Sequence, residues 1–340
     1  KAIDAFVDVV RIDPETIELH FALGNLFRRR GETDRAIRVH ANLAERGDLD
    51  AAQREQAVFE LGQDYLKAGL LDRAETAFVR LEGSGFDAQA LRHRLQIAQM
   101  VRDWRLAIEL GARLAGKTGD AGGREVAHFH CELAAAAMNS AAPDRLEAAR
   151  SEIEAASRSD PGHPRPLLLA GERALAADEP ARAIAAWERL RERSPAYLAL
   201  VSRGWLAAHA KLGDPRRGVD TLKAAHLSQP SVDTLSAIAE ALAELDGLDA
   251  ALAWAEQELR RQPSLLGLET LLSLRIRALD GEARAECELT RKLIQPQARR
   301  LARFVCNHCG FKARQFYWQC PGCSRWDTYA PKRTEEIERA

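Results

Sequence analysis

Four cysteines near the C-terminal end, Cys306, Cys309, Cys320 and Cys323, form two C-x-x-C pairs separated by ten residues. A C-x-x-C turn aims backbone N–H groups at the sulfurs and sets two thiolates on one side of an ion, so two such turns close a tetrahedral site. Zinc and iron both suit four thiolates, and spacing alone does not separate them. A pair of disulfides is the competing reading. Cys131 and Cys287 stand alone in helical sequence, which fits a reducing compartment and hence the cytosolic side. His308 lies inside the first knuckle but is surplus to a site that four cysteines already close, and it is expected to be an exposed polar residue. Gly310 and Pro321-Gly322 supply turn chemistry, and the β-prone run Gln315-Phe316-Tyr317-Trp318 predicts a short strand. A module of about 30 residues cannot build a sufficient core. The ion must therefore supply much of its folding free energy, on the order of 10 kcal/mol or more.

No other constellation carries chemistry. His128, His130 and Cys131 fall close together, but helix neighbours one and two apart diverge and do not converge on one ion. Asp and Glu pairs are expected on exposed charged faces, and no glycine-rich phosphate loop follows a strand. The chain reads as non-enzymatic.

The net charge of -1 over 340 residues, with a pI near 6.8, argues against a polyanion-binding protein. The charge is uneven: residues 291–333 carry about +9 and the preceding 290 about -8. Basic residues beside Phe316, Tyr317, Trp318 and Trp326 fit a nucleic-acid-binding zinc ribbon, with cations for phosphates and aromatics for bases. The better supported reading has these aromatics cover the knuckles and dock the module onto the last helices. A third sets the basic face against an anionic membrane leaflet.

The elements that position the cysteines are helical. The chain is 46% hydrophobic but only 6% aromatic, is rich in Ala, Leu, Arg and Glu, and lacks β-branched runs, so strands should be rare. Pro161, Pro195, Pro230, Pro263 and Pro296 recur at intervals of 34, 35, 33 and 33 residues, each after a helical run that proline would stop. Within this period Phe21–Leu43 and Phe59–Leu81 share one pattern: a helix with Leu-Gly and an aromatic three residues on, a turn at Gly31 or Gly69, and a second helix opening on Asp-Arg-Ala. Gly24, Gly62 and Gly171, with Ala36, Ala74 and Ala183, would sit where paired helices approach closest. Phe27, Tyr65, Phe78 and Trp187 would fill the gaps between units.

This pattern resembles the tetratricopeptide repeat, a 34-residue helix-turn-helix unit. Counting gives the second helix of a truncated unit ending at Asp13-Pro14, then about eight units to roughly residue 298, with poor matches at Leu91–Leu114 and Leu265–Gln295. Longer spacing before Phe59 and around Gly116–Gly123 marks insertions. The expected fold is all-α: a tetratricopeptide-repeat superhelix over 1–298 and a small rubredoxin-like metal-knuckle domain with four cysteine ligands over 299–334. Stacked units bury a continuous core and leave a groove that takes protein segments. The knuckles C-x-x-C-G and C-P-x-C resemble rubredoxin, with Ser324 where glycine is expected and a loop far shorter than in free electron carriers, both of which weigh against redox function.

Repeats followed directly by the run Tyr317, Trp318, Cys320, Pro321, Cys323, Trp326, Thr328 and Pro331 resemble the lipopolysaccharide assembly protein B family of Gram-negative bacteria. The resemblance implies that Cys306, Cys309, Cys320 and Cys323 hold one ion, iron in that family. It also implies an adaptor on the cytoplasmic side of the inner membrane. That adaptor would promote degradation of the lipid A pathway deacetylase by a membrane AAA+ metalloprotease, among other inner-membrane lipopolysaccharide assembly proteins. Family members carry an N-terminal transmembrane helix. This chain opens on Lys1 in mid-helix pattern and has no span of about 20 apolar residues, so it is expected to be a soluble fragment without that helix. Whether it forms a homodimer stays open.

Overall fold

The computed structural model describes residues 17–119 and 122–338. The half unit expected to end at Asp13-Pro14 lies outside the described residues. Up to residue 301 the described chain is a succession of helices. They are α1 (Ile17–Arg30), α2 (Thr33–Glu45), α3 (Ala51–Lys67), α4 (Leu71–Val79), α5 (Asp87–Val101), α6 (Trp104–Thr118), α7 (Gly123–Met138) and α8 (Arg145–Ser159). There follow α9 (Pro164–Ala176), α10 (Pro180–Arg193), α11 (Leu198–Lys211), α12 (Pro215–Ser228), α13 (Val232–Leu245), α14 (Leu248–Arg261), α15 (Leu265–Ala278) and α16 (Gly281–Leu301). The chain divides into two compact units, one up to Phe129 and one from His130, the division falling within α7.

Local chemistry sets the helix ends. Gly31 and Gly69 carry the tight turns with φ of +79° and +76°, a backbone that a side chain would strain. Pro164, Pro180 and Pro215 open their helices, where a missing N–H costs nothing. The extra residues before Phe59 form a loop in which Asp50 caps α3, accepting from Gln53 N at 2.7 Å while Gln53 Oε1 accepts from Asp50 N. Pro161, Pro195, Pro230 and Pro263 each stand two residues past a helix end, as expected. Pro296 does not stop its helix: α16 runs through it to Leu301. Tertiary contacts outweigh the lost hydrogen bond there, because Ala298 is buried and Arg333 Nη1 donates to Ala302 O at 2.7 Å.

Consecutive helices pack in pairs, α1 on α2, α3 on α4, α5 on α6, and α9 on α10 through α15 on α16. The small residues sit at the crossings. Ala36, Ala74 and Ala183 are fully buried. A Cβ on Gly24 would lie 2.4 Å from His40 Nε2, one on Gly62 2.7 Å from Phe78, and one on Gly171 2.2 Å from the Trp187 indole. Trp187 also meets Gly204 of the next pair, and Phe78 stacks on His93 at 4.9 Å, so these large residues bridge repeats.

Two glycine substitutions should therefore act with opposite signs. Gly171→Ala drives a methyl into a buried indole and should destabilise by about 2 kcal/mol after the gain in helix propensity. Gly116→Ala, on α6 with nothing within 4 Å of the new methyl, should stabilise by about 0.5–1 kcal/mol. Chemical denaturation of the two variants checks both signs.

Among the described residues, no helix is long and apolar enough to cross a membrane.

Candidate metal centre

After α16 the chain forms a two-stranded antiparallel sheet, β1 (Phe304–Val305) with β2 (Lys312–Ala313), then the second knuckle and the short helix α17 (Thr334–Glu338). The expected strand at 315–318 is absent. Pairing falls three residues earlier, and Phe316 and Trp318 are drawn instead into an aromatic cluster.

The two knuckles bring Cys306, Cys309, Cys320 and Cys323 together, with all four Sγ atoms within 4.8 Å of one another. Cys306 Sγ is 3.8 Å from Cys323 Sγ, and Cys309 Sγ is 3.7 Å from Cys320 Sγ. Disulfides need about 2.05 Å, so these are not disulfides. A tetrahedron with ion–sulfur bonds of about 2.3 Å has edges of about 3.8 Å, and the four sulfurs fit that shell. His308 is exposed and outside the cluster.

The electrostatics of the thiols suit a cation. Burial opposes ionisation of Cys306, but the Thr328 hydroxyl and the backbone of Cys309 and His308 outweigh it and hold the thiol down to about 6. The Phe311 backbone favours a Cys309 thiolate, yet burial and hydrogen bonds to the three neighbouring sulfurs push it up to about 12. Four thiolates cannot all ionise in one shell without a positive charge between them. The Gly322 N–H lies 3.4 Å from Cys320 Sγ, and the buried Tyr329 hydroxyl lies 3.8 Å from the same sulfur while donating to Phe311 O at 3.2 Å.

The backbone accounts for the glycine pattern. The residue after each second cysteine is left-handed, Gly310 at φ +74° and Ser324 at φ +58°. Ser324 thus holds the conformation in which a glycine is expected, at a modest strain.

The module docks through its aromatics, though on helices well before the last pair. Trp318 stacks on Tyr197 with centroids 5.2 Å apart and planes within 3°, and Phe316 meets both rings edge-on. The Arg165 guanidinium lies over Trp318 at 5.6 Å and over Trp326 at 6.0 Å. Leu200 of α11 packs against the module core of Phe304, Ala313 and Tyr329.

Beyond the knuckles the chain becomes a latch. Arg333 makes two bonds to Asp233 at 2.7 and 3.0 Å, and its guanidinium covers the Phe304 ring at 4.9 Å. Glu335 accepts from Leu265 N at 2.5 Å, Leu266 N at 3.1 Å and Ser264 Oγ at 3.0 Å, capping α15, whose own first turn has no acidic residue. Glu336 accepts from Val232 N at 3.0 Å at the start of α13. Carboxylates at helix N-termini satisfy unpaired N–H groups and the macrodipole together. Burial pushes the Glu336 carboxyl up, opposed by the N–H groups of Arg333 and Val232.

Sequence reasoning missed Arg165, Tyr197, Asp233, Glu335 and Glu336. The one legible signal was the acidic run Thr334-Glu335-Glu336 in a chain whose α15 opens without an acid. Arg333→Ala should cost about 2 kcal/mol through loss of the charged pair and the bond to Ala302. Amide exchange should then rise in the module and at the α13 start, with the ion retained.

His130 turns to Glu152, with Nδ1 2.7 Å from Oε2, while Cys131 is buried and its thiol is pushed up to about 12 by that burial. Neither residue joins the four-cysteine cluster.

Residues 304–331 match the rubredoxin metal binding domain. Lipopolysaccharide assembly protein B of Escherichia coli strain K12 is 33% identical over 335 residues, covering 98% of this chain and 85% of that protein. The Haemophilus influenzae protein of the same name is 27% identical over 346 residues, covering 99% and 86%. Among solved structures, Naa15/Naa10 bound to HypK-THB superposes with a TM-score of 0.51 at 15% identity, covering 88% of this chain and 44% of that one, a likeness of repeat fold alone. With a third of its residues identical over nearly its whole length, and with the metal domain in place, the chain belongs to the lipopolysaccharide assembly protein B family.

Proposed function

We propose that this protein is a non-enzymatic adaptor on the cytoplasmic side of the inner membrane. In this reading it promotes proteolysis of the lipid A pathway deacetylase by a membrane AAA+ metalloprotease and so sets lipopolysaccharide level. The repeats over 1–298 hold the protein partners, and the module over 299–334 keeps their second half in register. Its ion is iron or zinc, held by Cys306, Cys309, Cys320 and Cys323. The ion supplies fixed coordination, while Tyr197, Arg165 and Asp233 receive the module.

One observation carries the reading. The module and the latch that follows it cover the N-terminal ends of α13 and α15 but leave the neighbouring helix faces open. A depression of about 410 Å³ between α11 and α13, lined by Arg203, Leu206, Ala237, Glu240 and Glu244, includes no module residue. Glu240 continues into a second depression with Glu269 and Arg277 on α15. A nucleic-acid-binding ribbon is less well supported, because Trp318 and Phe316, which would stack on bases, are spent on Tyr197 and on each other.

The test is a reconstituted degradation assay with the full-length protein, the deacetylase and the protease in a bilayer. Adding the protein should shorten the deacetylase lifetime severalfold. An unchanged lifetime, with all three components shown to be folded, would refute the adaptor reading.

A further inference from the structure

The last long helix, α16, keeps Cys287, Ile294 and Leu301 half-buried on its inner side but leaves two leucines on its outer side. Leu289 and Leu293 are 59% and 72% exposed, while Ala298, on the opposite side, is its one buried residue. Glu282 and Arg300 are exposed on the same line as the leucines. Their spacing, Glu282, Leu289, Leu293 and Arg300, is i, i+7, i+11, i+18. At 3.6 residues per turn, 18 residues are five full turns, so all four fall within about 40° of one line along the helix.

The pattern is also symmetric about residue 291. Leu289 and Leu293 lie two residues either side of it, and Glu282 and Arg300 nine either side. On this outer side Glu282 and Glu286 lie in the first half and Lys292 and Arg300 in the second, while Arg284 pairs with Glu288 and Arg291 turns to Glu269.

From this self-complementarity we propose that the outer face of α16 pairs antiparallel with α16 of a second copy of this chain. A two-fold axis level with residue 291 sets Leu289 against Leu293 of the other copy and Glu282 against its Arg300, twice each. An isologous face of this kind needs one surface that matches itself when reversed, and α16 has the two charges and two leucines in that order. An anionic bilayer would attract Lys292, Arg299 and Arg300 but repel Glu282 and Glu286, which flank the same leucines. The second copy is therefore the occupant that the whole stripe fits. One helix face buries less than a standard interface, so the dimer dissociates in the micromolar range.

Sedimentation velocity of the folded chain from about 1 to 100 μM tests this. A monomer–dimer equilibrium is expected, with Leu293→Asp monomeric throughout. Glu282→Arg and Arg300→Glu should each weaken it about tenfold by placing like charges together twice. The double variant, which swaps the pair, should return dissociation to within about threefold of the starting protein. All four positions are exposed, and unchanged circular dichroism confirms the fold of each variant. A chain monomeric at 100 μM, a dimer indifferent to Leu293→Asp, or a double swap that fails to restore pairing would each overturn the proposal. So would a monomer that instead binds vesicles containing anionic phosphatidylglycerol through Lys292, Arg299 and Arg300.

Discussion

Replacing Cys306, Cys309, Cys320 and Cys323 together with serine is expected to take bound metal from one ion per chain to none and to unfold residues 304–331. Serine hydroxyls do not ionise near neutral pH and cannot form the shell that the 3.7 and 3.8 Å sulfur separations outline. The module's own core is Phe304, Ala313, Tyr329 and two of the cysteines themselves, too little to replace an ion contributing on the order of 10 kcal/mol. The loss should spread, because what folds with the ion also docks. The Trp318–Tyr197 stack, the Arg333–Asp233 pair and the two carboxylate caps go with it, together about 5 kcal/mol. The unit from His130 onward should then melt about 10 °C lower or more. Metal analysis and calorimetry read the two effects separately.

Asp64→Ala should be the most damaging single change among the first four helices. Asp64 is fully buried on α3, accepts from Arg28 Nη1 of α1 at 2.9 Å and meets His40 Nδ1 of α2 at 2.5 Å. One carboxylate thus ties three helices. Truncation strands a buried imidazole nitrogen and leaves Arg28 with Glu60 and Asn25, a loss of about 3–5 kcal/mol. Asp64→Asn keeps one acceptor and should lose clearly less. Urea denaturation of both, compared at equal slope, gives the difference. Equal losses would mean that the charge of the carboxylate carries the whole effect and the remaining acceptor nothing.

This network marks where the sequence stopped being legible. Acidic residues were expected on exposed faces, yet Asp64 is a buried hub and Glu335 a buried cap. Both lie in helices whose period fixes which side is inward but not what an inward carboxylate will meet. Their partners come from residues 24 to 71 positions away. The repeats themselves were readable because Gly24, Gly62 and Gly171 report a local constraint, close helix approach, that recurs at a fixed period. Pro296 obeyed the period but not its usual meaning, since the stop it encodes was overridden by contacts of the following module. The clustering of the four cysteines was readable for the same local reason: a C-x-x-C turn makes its own geometry. The strand expected at 315–318 failed because β-propensity there reflected aromatics needed for docking. The docking surface itself, Arg165, Tyr197 and Asp233, lies about 100 residues or more before the side chains it receives and leaves no spacing signal.

We infer that one ion, through the folded module, holds the starts of α13 and α15, and amide hydrogen exchange before and after chelation of the metal tests this most directly. Removing the ion is predicted to speed exchange within residues 304–331 and, with it, at Val232, Leu265 and Leu266, whose N–H groups donate to Glu336 and Glu335, while α1 to α4 keep their rates. Protection at Val232, Leu265 and Leu266 that survives complete removal of the ion would contradict it.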